Sequence, residues 1–215
     1  MHRGFTAVTL AALTTCVLLD STPASVANNP QVHVFVYNDA GVAFDTLTRA
    51  EERAAKIFSQ AGFEVNWVNC AHREGDRDAS ASNVDDGPGQ FVLRIISHSA
   101  SSTSDAAFGV AFLGPNGTGR YGDVFWNRVQ ELHANFNVDI VGILGGVIAH
   151  EMGHLLLGSN AHAVGGIMRA RWESGELRRI SMGTLLFLPE QDKRMSERLA
   201  SSRGLQMSSR GRPGY

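Results

Sequence analysis

The feature that most constrains the fold is the segment NVDIVGILGGVIAHEMGHLLLG, residues 137–158, the most apolar stretch beyond the N-terminal region. Asp139 can cap a helix that runs to about Leu157. Gly158 can end that helix, because glycine enters the left-handed conformation of a helix C-terminus without a Cβ penalty. Interior glycines lower helix propensity, so we expect close packing against a sheet where larger side chains would clash. These glycines are Gly142, Gly145 and Gly146.

Three histidines in and after this helix have the spacing of metal ligands. His150 and His154 are four residues apart, so they share one helix face at roughly 6 Å between Cβ atoms and can converge on one ion. A catalytic zinc site takes three protein ligands and leaves a position for water. On a continuing helix His162 would lie about 12 Å beyond His154 along the axis. It can reach the ion only if the helix ends at Gly158.

Glu151 is placed to act on water at such an ion. It follows His150 directly and precedes His154 by three residues, so its carboxylate reaches the edge of the same face. A carboxylate there can take a proton from a metal-activated water and hand it to a leaving amine. The pattern predicts metal-assisted hydrolysis with Glu151 as the catalytic base and Zn²⁺ as the cofactor. The alternative is that His150 and His154 are polar residues on a core helix.

The residues His150, Glu151 and His154 form HExxH, and the chain resembles the metzincin group of zinc peptidases, whose signature is HExxHxxGxxH followed by a methionine turn. The segment GGIM, ending at Met168, is similar to that turn. The spacing differs from the family's, since Leu157 and Asn160 stand at the strict positions of the glycine and the third histidine. The third-ligand role therefore passes to His162.

The resemblance also implies a substrate, namely an extended peptide or protein chain that adds to an edge strand of the sheet. Our candidate for that strand is AAFGVAFLG, residues 106–114. Two other functions remain open. In one, a zincin takes its third ligand from a carboxylate, Glu173 or Glu176. In the other, the irregular spacing leaves an exported zinc-binding protein without catalytic activity.

The remaining patterns predict an α+β fold. Alternating apolar residues, amphipathic spacing and turn residues indicate a β-helix-β unit with parallel strands, followed by further strands and a last helix opened by Pro189. The predicted strands are 32–37, 63–68, 91–97, 106–114 and 121–126, and the other predicted helices are 45–60, 127–134 and 189–200. The resemblance implies a single zincin-like domain, in which a twisted mixed sheet of four to five strands packs on a crossover helix and an active-site helix.

The N-terminal 27 residues have the layout of a secretory signal peptide: Arg3, a short apolar run, and small residues before a cleavage site after Ala27. We therefore expect a metallopeptidase domain at 28–202, a disordered tail at 203–215, and a secreted or periplasmic location. An uncleaved anchor and lipidation at Cys16 are the alternatives. Without Cys16, Cys70 has no cysteine to pair with, and a half-buried apolar role is expected for it rather than a reactive one.

Charge gives no indication of a nucleic acid or stable membrane partner, because the net charge is -2 and the pI is near 6.4. The one acidic segment, residues 71–89, is polar and rich in Asp, Ser and Gly. A calcium site there is conceivable, but no spaced ligand pattern is present, so a solvated loop is expected. The acidic residues concerned are Asp76, Asp78, Asp85 and Asp86.

Overall fold

The computed structural model of the 215-residue chain describes residues 29–70, 87–98 and 107–210. The expected signal peptide at 1–27 and the acidic residues of the conceivable calcium site lie outside the described residues.

Five strands form one mixed sheet in the order β2-β1-β3-β5-β4. The strands β1, β2, β3 and β5 run parallel to one another, and β4 is antiparallel to β5. The predicted parallel β-helix-β unit is therefore confirmed. The strands are β1 (Gln31–Asn38), β2 (Glu64–Cys70), β3 (Gln90–Ile96), β4 (Gly109–Phe112) and β5 (Tyr121–Phe125).

Helix α3 (Ile140–Leu157) is the centre of the core, since every residue from Val141 to Leu157 except Gly142 is buried. It packs on α1 (Phe44–Gln60), and alternate residues of β1 point into the same core. The other described helices are α2 (Trp126–Phe136), α4 (Ser174–Ser181) and α5 (Pro189–Arg210). The arrangement is the α+β fold predicted from the sequence: a mixed sheet, a crossover helix, a central helix and a C-terminal helix.

Both ends of α3 are where local signals predict them. The side chain of Asp139 accepts a hydrogen bond from the backbone N–H of Gly142, at 3.2 Å, and so caps the first turn. Gly158 ends the helix with φ 61° and ψ 37°, in the left-handed region. This helix is also the one described segment long and apolar enough to suit a membrane span, with a mean hydropathy of 1.6, but 89% of that window is buried inside the protein.

The expectation that the glycines of α3 pack against the sheet is wrong. A Cβ at Gly145 would lie 2.6 Å from Cβ of Arg53 and 2.7 Å from the carbonyl oxygen of Ala50, both on α1. A Cβ at Gly146 would instead meet the ring of Trp172 at 3.2 Å. The missing side chains at these glycines therefore let α1 and the segment after α3 pack closely against the helix. They do not face the strands.

Two features near the C-terminus differ from the sequence expectations. Helix α4 was not predicted, although Glu173 and Glu176 form a capping box at its N-terminus. Helix α5 continues to Arg210, through eight residues of the segment 203–215 assigned above to a disordered tail. There the guanidinium of Arg203 donates to the carbonyl oxygen of Gln31 at 2.6 Å, which ties that end of α5 to the start of β1.

Candidate metal centre

His150 and His154 lie on the buried face of α3 with their Nε2 atoms 3.1 Å apart. The Nδ1 atom of His150 is 2.7 Å from the carbonyl oxygen of Ile167, and Nδ1 of His154 is 2.8 Å from that of Ser159. A carbonyl oxygen only accepts hydrogen bonds, so each Nδ1 carries a proton. In the neutral rings both Nε2 atoms therefore present lone pairs, which face each other.

His162 joins this pair because the chain reverses after Gly158. The backbone N–H of Ser159 returns to the carbonyl oxygen of His154 at 3.2 Å, and three residues later the ring of His162 lies 5.0 Å from that of His154 and 5.4 Å from that of His150, between centroids. One ligand nitrogen from each of the three residues lies within 4.8 Å of the others. The structure thus brings together the three residues that the sequence spacing singles out.

The cluster fits Zn²⁺. Burial lowers the pKa of His150 to about 3, with a further contribution from His154, and burial also lowers the pKa values of His154 and His162. The rings are therefore neutral at ordinary pH, which is the ligating form. Two lone pairs 3.1 Å apart repel unless a cation lies between them, and a tetrahedral ion with bonds of about 2.0–2.1 Å would hold its nitrogens about 3.3 Å apart.

The segment around Met168 packs against α3 and holds the ring of His150 in position. Met168 is fully buried, and its sulfur would lie 2.5 Å from a Cβ placed on Gly153, so glycine between the two helical histidines lets the turn approach. The preceding carbonyl, that of Ile167, receives the Nδ1 proton of His150 and also the indole N–H of Trp172, at 3.2 Å. This carbonyl fixes the ring orientation and tautomer of His150.

Glu151 is buried beside the histidines, with 3% of its surface exposed. Burial, and to a lesser extent the carboxylate of Asp123, raises its pKa to about 8. A positive charge at the histidine cluster would act in the opposite direction. Glu151 lines a cleft of about 370 Å³ together with all three histidines and the β4 region, so its carboxylate opens onto the space in front of the cluster.

The opposite wall of the cleft is the edge strand β4, which pairs with β5 alone among the described strands. The backbone N–H of Phe125 donates to the carbonyl oxygen of Phe108 at 2.9 Å. Because backbone groups alternate in direction along a strand, Gly109 and Ala111 direct theirs away from β5, toward the cleft. An extended chain can therefore form strand-type hydrogen bonds along this edge.

Gly109 was not singled out from the sequence. A Cβ there would lie 2.1 Å from the carbonyl oxygen of Asp123 and 2.8 Å from Cγ and Cδ of Glu151. Glycine at this position thus makes the room in which the carboxylate of Glu151 sits. A single glycine inside a predicted strand is the available signal, since it marks close approach by another group.

Other candidate ligands lie elsewhere. Glu176 receives the backbone N–H of Glu173 and the guanidinium of Arg169, at 3.0 and 2.7 Å, so both carboxylates of the alternative ligand set belong to the start of α4. Asn160 lines the cleft but is not part of the histidine cluster, and Leu157 is buried. Cys70, a free thiol, is on β2 at the other edge of the sheet.

Comparison with known proteins gives a likeness of fold. No family model matches the sequence, and no curated protein matches it significantly. A zinc-dependent peptidase from Methanocorpusculum labreanum is similar over 75% of this chain and 99% of its own, with 15% identity and a TM-score of 0.52. Archaemetzincin from Methanopyrus kandleri is similar over 81% of this chain and 98% of its own, with 16% identity and a TM-score of 0.47.

The likeness to the peptidase from Methanocorpusculum labreanum defines the fold of this chain. The chain shares its α+β architecture with a zinc-dependent peptidase, and it carries a histidine cluster that fits Zn²⁺. At 15% identity the likeness concerns the fold, and the activity has to be argued from the residues.

Proposed function

We propose that this protein is an exported zinc-dependent endopeptidase that hydrolyses bonds in extended peptide or protein chains. The observation that carries the proposal is the convergence, in one cleft, of three neutral histidines, a buried glutamate and an open strand edge. Metal storage requires the histidines alone. Hydrolysis of a bound chain uses the carboxylate of Glu151 and the outward backbone groups of β4 as well.

His150, His154 and His162 would hold the ion, which supplies Lewis-acid polarisation of the scissile carbonyl and lowers the pKa of water. Glu151 is the general base: it accepts a proton from the attacking water and passes this proton to the leaving amine, which regenerates its carboxylate. Met168 has no part in the chemistry, and serves as the packed base beneath the first ligand.

The substrate lies along β4 as an added strand. Gly109 and Ala111 supply the backbone donors and acceptors, and the carboxylate of Glu151 lies against Gly109, beside the bound chain. This mode of binding uses main-chain hydrogen bonds, so it accepts many sequences and excludes folded segments that cannot extend. No nucleic acid or stable membrane partner is part of the proposal.

The test joins zinc content to cleavage of an unfolded protein substrate. We expect one zinc per chain in the wild type and cleavage that is lost on chelation and restored by zinc. Removal of a group that only hydrogen-bonds to a metal ligand costs about 10–100-fold in metal affinity. His162→Ala removes a ligand itself, so it should bind zinc at least about 100-fold more weakly. His98→Ala, an exposed histidine at the end of β3, is the matched control and should keep both properties.

Each failure has its own meaning. Unchanged zinc in His162→Ala would move the third ligand to another residue. One tightly bound zinc with no cleavage of any unfolded chain would support a zinc-binding protein without catalysis.

Export is tested separately, by sequencing the N-terminus of protein recovered outside the cytoplasm. A mature chain that begins at Asn28 supports the signal peptide, and retention of residues 1–27 contradicts it.

A further inference from the structure

A second pocket adjoins the metal cleft. It measures about 340 Å³ and shares two residues, Phe108 and Arg171, with the cleft. Its floor is aromatic: the ring of Phe108 lies 4.4 Å from that of Trp172 and meets the ring of His150 edge-on at 5.4 Å, between centroids. A substrate side chain in this pocket is therefore separated from the first metal ligand by one aromatic ring.

Two carboxylates line this pocket, and both are already occupied. Glu131 pairs with the guanidinium of Arg128 three residues earlier on α2. The side chain of Glu173 accepts from the backbone at the N-terminus of α4, as part of the capping box. Arg128 balances the charge of Glu131, and the carboxylate of Glu173 is engaged by the backbone that it caps.

Arg171 differs from these two carboxylates. Its side chain is exposed, and it has no hydrogen-bond or ion-pair partner in the part of the chain that the structure describes. Arg169, two residues earlier, is paired with Glu176 at 2.7 Å, so of these two neighbouring arginines it is the one at the cleft that lacks a partner among the described residues. The backbone of Arg171 is held in place by Trp172, which is buried and bonded through its indole to Ile167.

We infer that Arg171 is a specificity-determining residue that binds a carboxylate of the substrate in the pocket beside the metal cleft. A guanidinium offers a planar pair of donors that matches a carboxylate, and a cation at the histidine cluster strengthens the attraction of this part of the cleft for anions. The inference rests on the proposed function for the identity of the substrate. The carboxylate belongs either to an acidic side chain next to the cleaved bond or to the C-terminus of a short peptide.

The first experiment measures binding, so that it does not depend on turnover. Zinc-loaded Glu151→Gln protein is titrated with peptides of one sequence, acetylated and amidated at their ends, that carry Glu, Gln or Lys at each position in turn. A second set has a free C-terminal carboxylate and no acidic side chain. We expect roughly tenfold tighter binding for Glu than for Gln at one position, or for the free over the amidated C-terminus.

The second step changes the arginine. Arg171→Gln, introduced beside Glu151→Gln, should abolish the preference, Arg171→Lys should keep part of it, and Arg171→Glu should reverse it in favour of Lys. The matched control is Arg53→Gln, which removes one exposed positive charge from α1, away from the cleft, and should leave the preference unchanged. Preference for an acidic side chain and preference for a free C-terminus identify the two sources of the carboxylate.

The failures of the two proposals are distinguishable. Equal binding of Glu, Gln and both C-terminal forms by the protein with Arg171 intact overturns the inference, whatever the variants do, and leaves a peptidase that cleaves such peptides standing. A preference that persists in Arg171→Gln overturns the assignment to this residue. A carboxylate preference that depends on Arg171, with no cleavage by the wild type, supports the site and overturns the peptidase function.

Discussion

Each edge of the sheet has a buried glutamate on the helix that packs there, and of the two only Glu151 lines the cleft of the histidine cluster. At the β4 edge, Glu151 on α3 is 3% exposed, and at the β2 edge, Glu51 on α1 is 4% exposed. Burial is the main cause that raises the pKa of both carboxyl groups. The two residues are therefore alike in burial and in the direction of their pKa shifts.

Their surroundings differ. One oxygen of Glu51 accepts from the side-chain amide of Asn69 on β2, at 3.2 Å, and the other is buried without a hydrogen-bond partner among the described residues. The buried Thr48 hydroxyl and the indole nitrogen of Trp67 also lack partners there. No histidine cluster is described at this edge. Glu151 instead opens onto a cleft with three histidines and an edge strand.

The lesson is that a buried carboxylate with a raised pKa indicates a functional site only together with a ligand set and access for a substrate. A structural carboxylate is perturbed by the same burial. The two glutamates allow this distinction to be tested within one protein, because the same substitution can be made at both edges.

The largest expected difference comes from Glu→Gln at each edge. Glu151→Gln removes the general base and should lower kcat/KM on a peptide by about 10³-fold or more while zinc remains bound. Glu51→Gln should leave kcat/KM within about twofold. Peptide hydrolysis measured with zinc content for both variants checks this. Retention of full activity by Glu151→Gln would remove the basis for the distinction between the edges.

Local sequence signals were sufficient for the elements that carry the site. Asp139 and Gly158 mark both ends of α3 because a side-chain cap and a left-handed terminus each depend on a few consecutive residues. The position of His162 followed from the same glycine, despite a spacing that departs from the metzincin pattern. The parallel β1-α1-β2 unit was likewise predictable from neighbouring patterns.

Contacts between distant segments were not predictable. That Gly145 meets α1, and that Gly109 meets Glu151, depends on how two elements cross, and a glycine in the sequence shows only that something comes close. The apolar pocket floor shared by Phe108 and Trp172 joins residues 64 positions apart. The pairing of Arg169, and the lack of a partner for Arg171 within the described part of the chain, also require the fold, since both arginines follow Met168 closely in sequence.

A smaller effect is expected from Gly109→Ala, which tests whether Glu151 needs the close approach of β4 at this glycine. The new Cβ would lie 2.1 Å from the carbonyl oxygen of Asp123 and 2.8 Å from Glu151, so the strand or the carboxylate has to move. We expect a loss of about 1–3 kcal/mol in the free energy of unfolding, with a lower kcat.

Urea unfolding and peptide hydrolysis measure the two effects. Gly175→Ala is the matched control, since nothing lies within 4 Å of a Cβ there and α4 should gain up to about 1 kcal/mol from the better helix former. Unchanged stability and activity in Gly109→Ala would mean that Glu151 does not depend on the room this glycine leaves.

The smallest effect is expected at the β2 edge, where Glu51→Gln should stabilise the protein in a pH-dependent way. Burial raises the pKa of Glu51 above its ordinary value of 4.5 in the folded state. Below that value folded and unfolded chains both hold the proton, and the carboxyl group contributes no pH dependence. As the pH rises above it, the unfolded chain loses its proton first, so the free energy of unfolding falls until the folded carboxyl group also ionises.

Glutamine keeps an oxygen for Asn69 and removes the charge. The variant should therefore equal the wild type in stability near pH 4 and exceed it by about 1 kcal/mol at neutral pH, a modest value for a buried carboxylate that already has one hydrogen bond. Urea unfolding of both proteins across this range, with chelator present so that zinc binding adds no pH dependence, measures the difference. A constant difference at all pH values would show that packing at this edge, and not ionisation, sets the effect of Glu51 on stability. Of the two buried glutamates, Glu151 would then be the one whose ionisation burial perturbs.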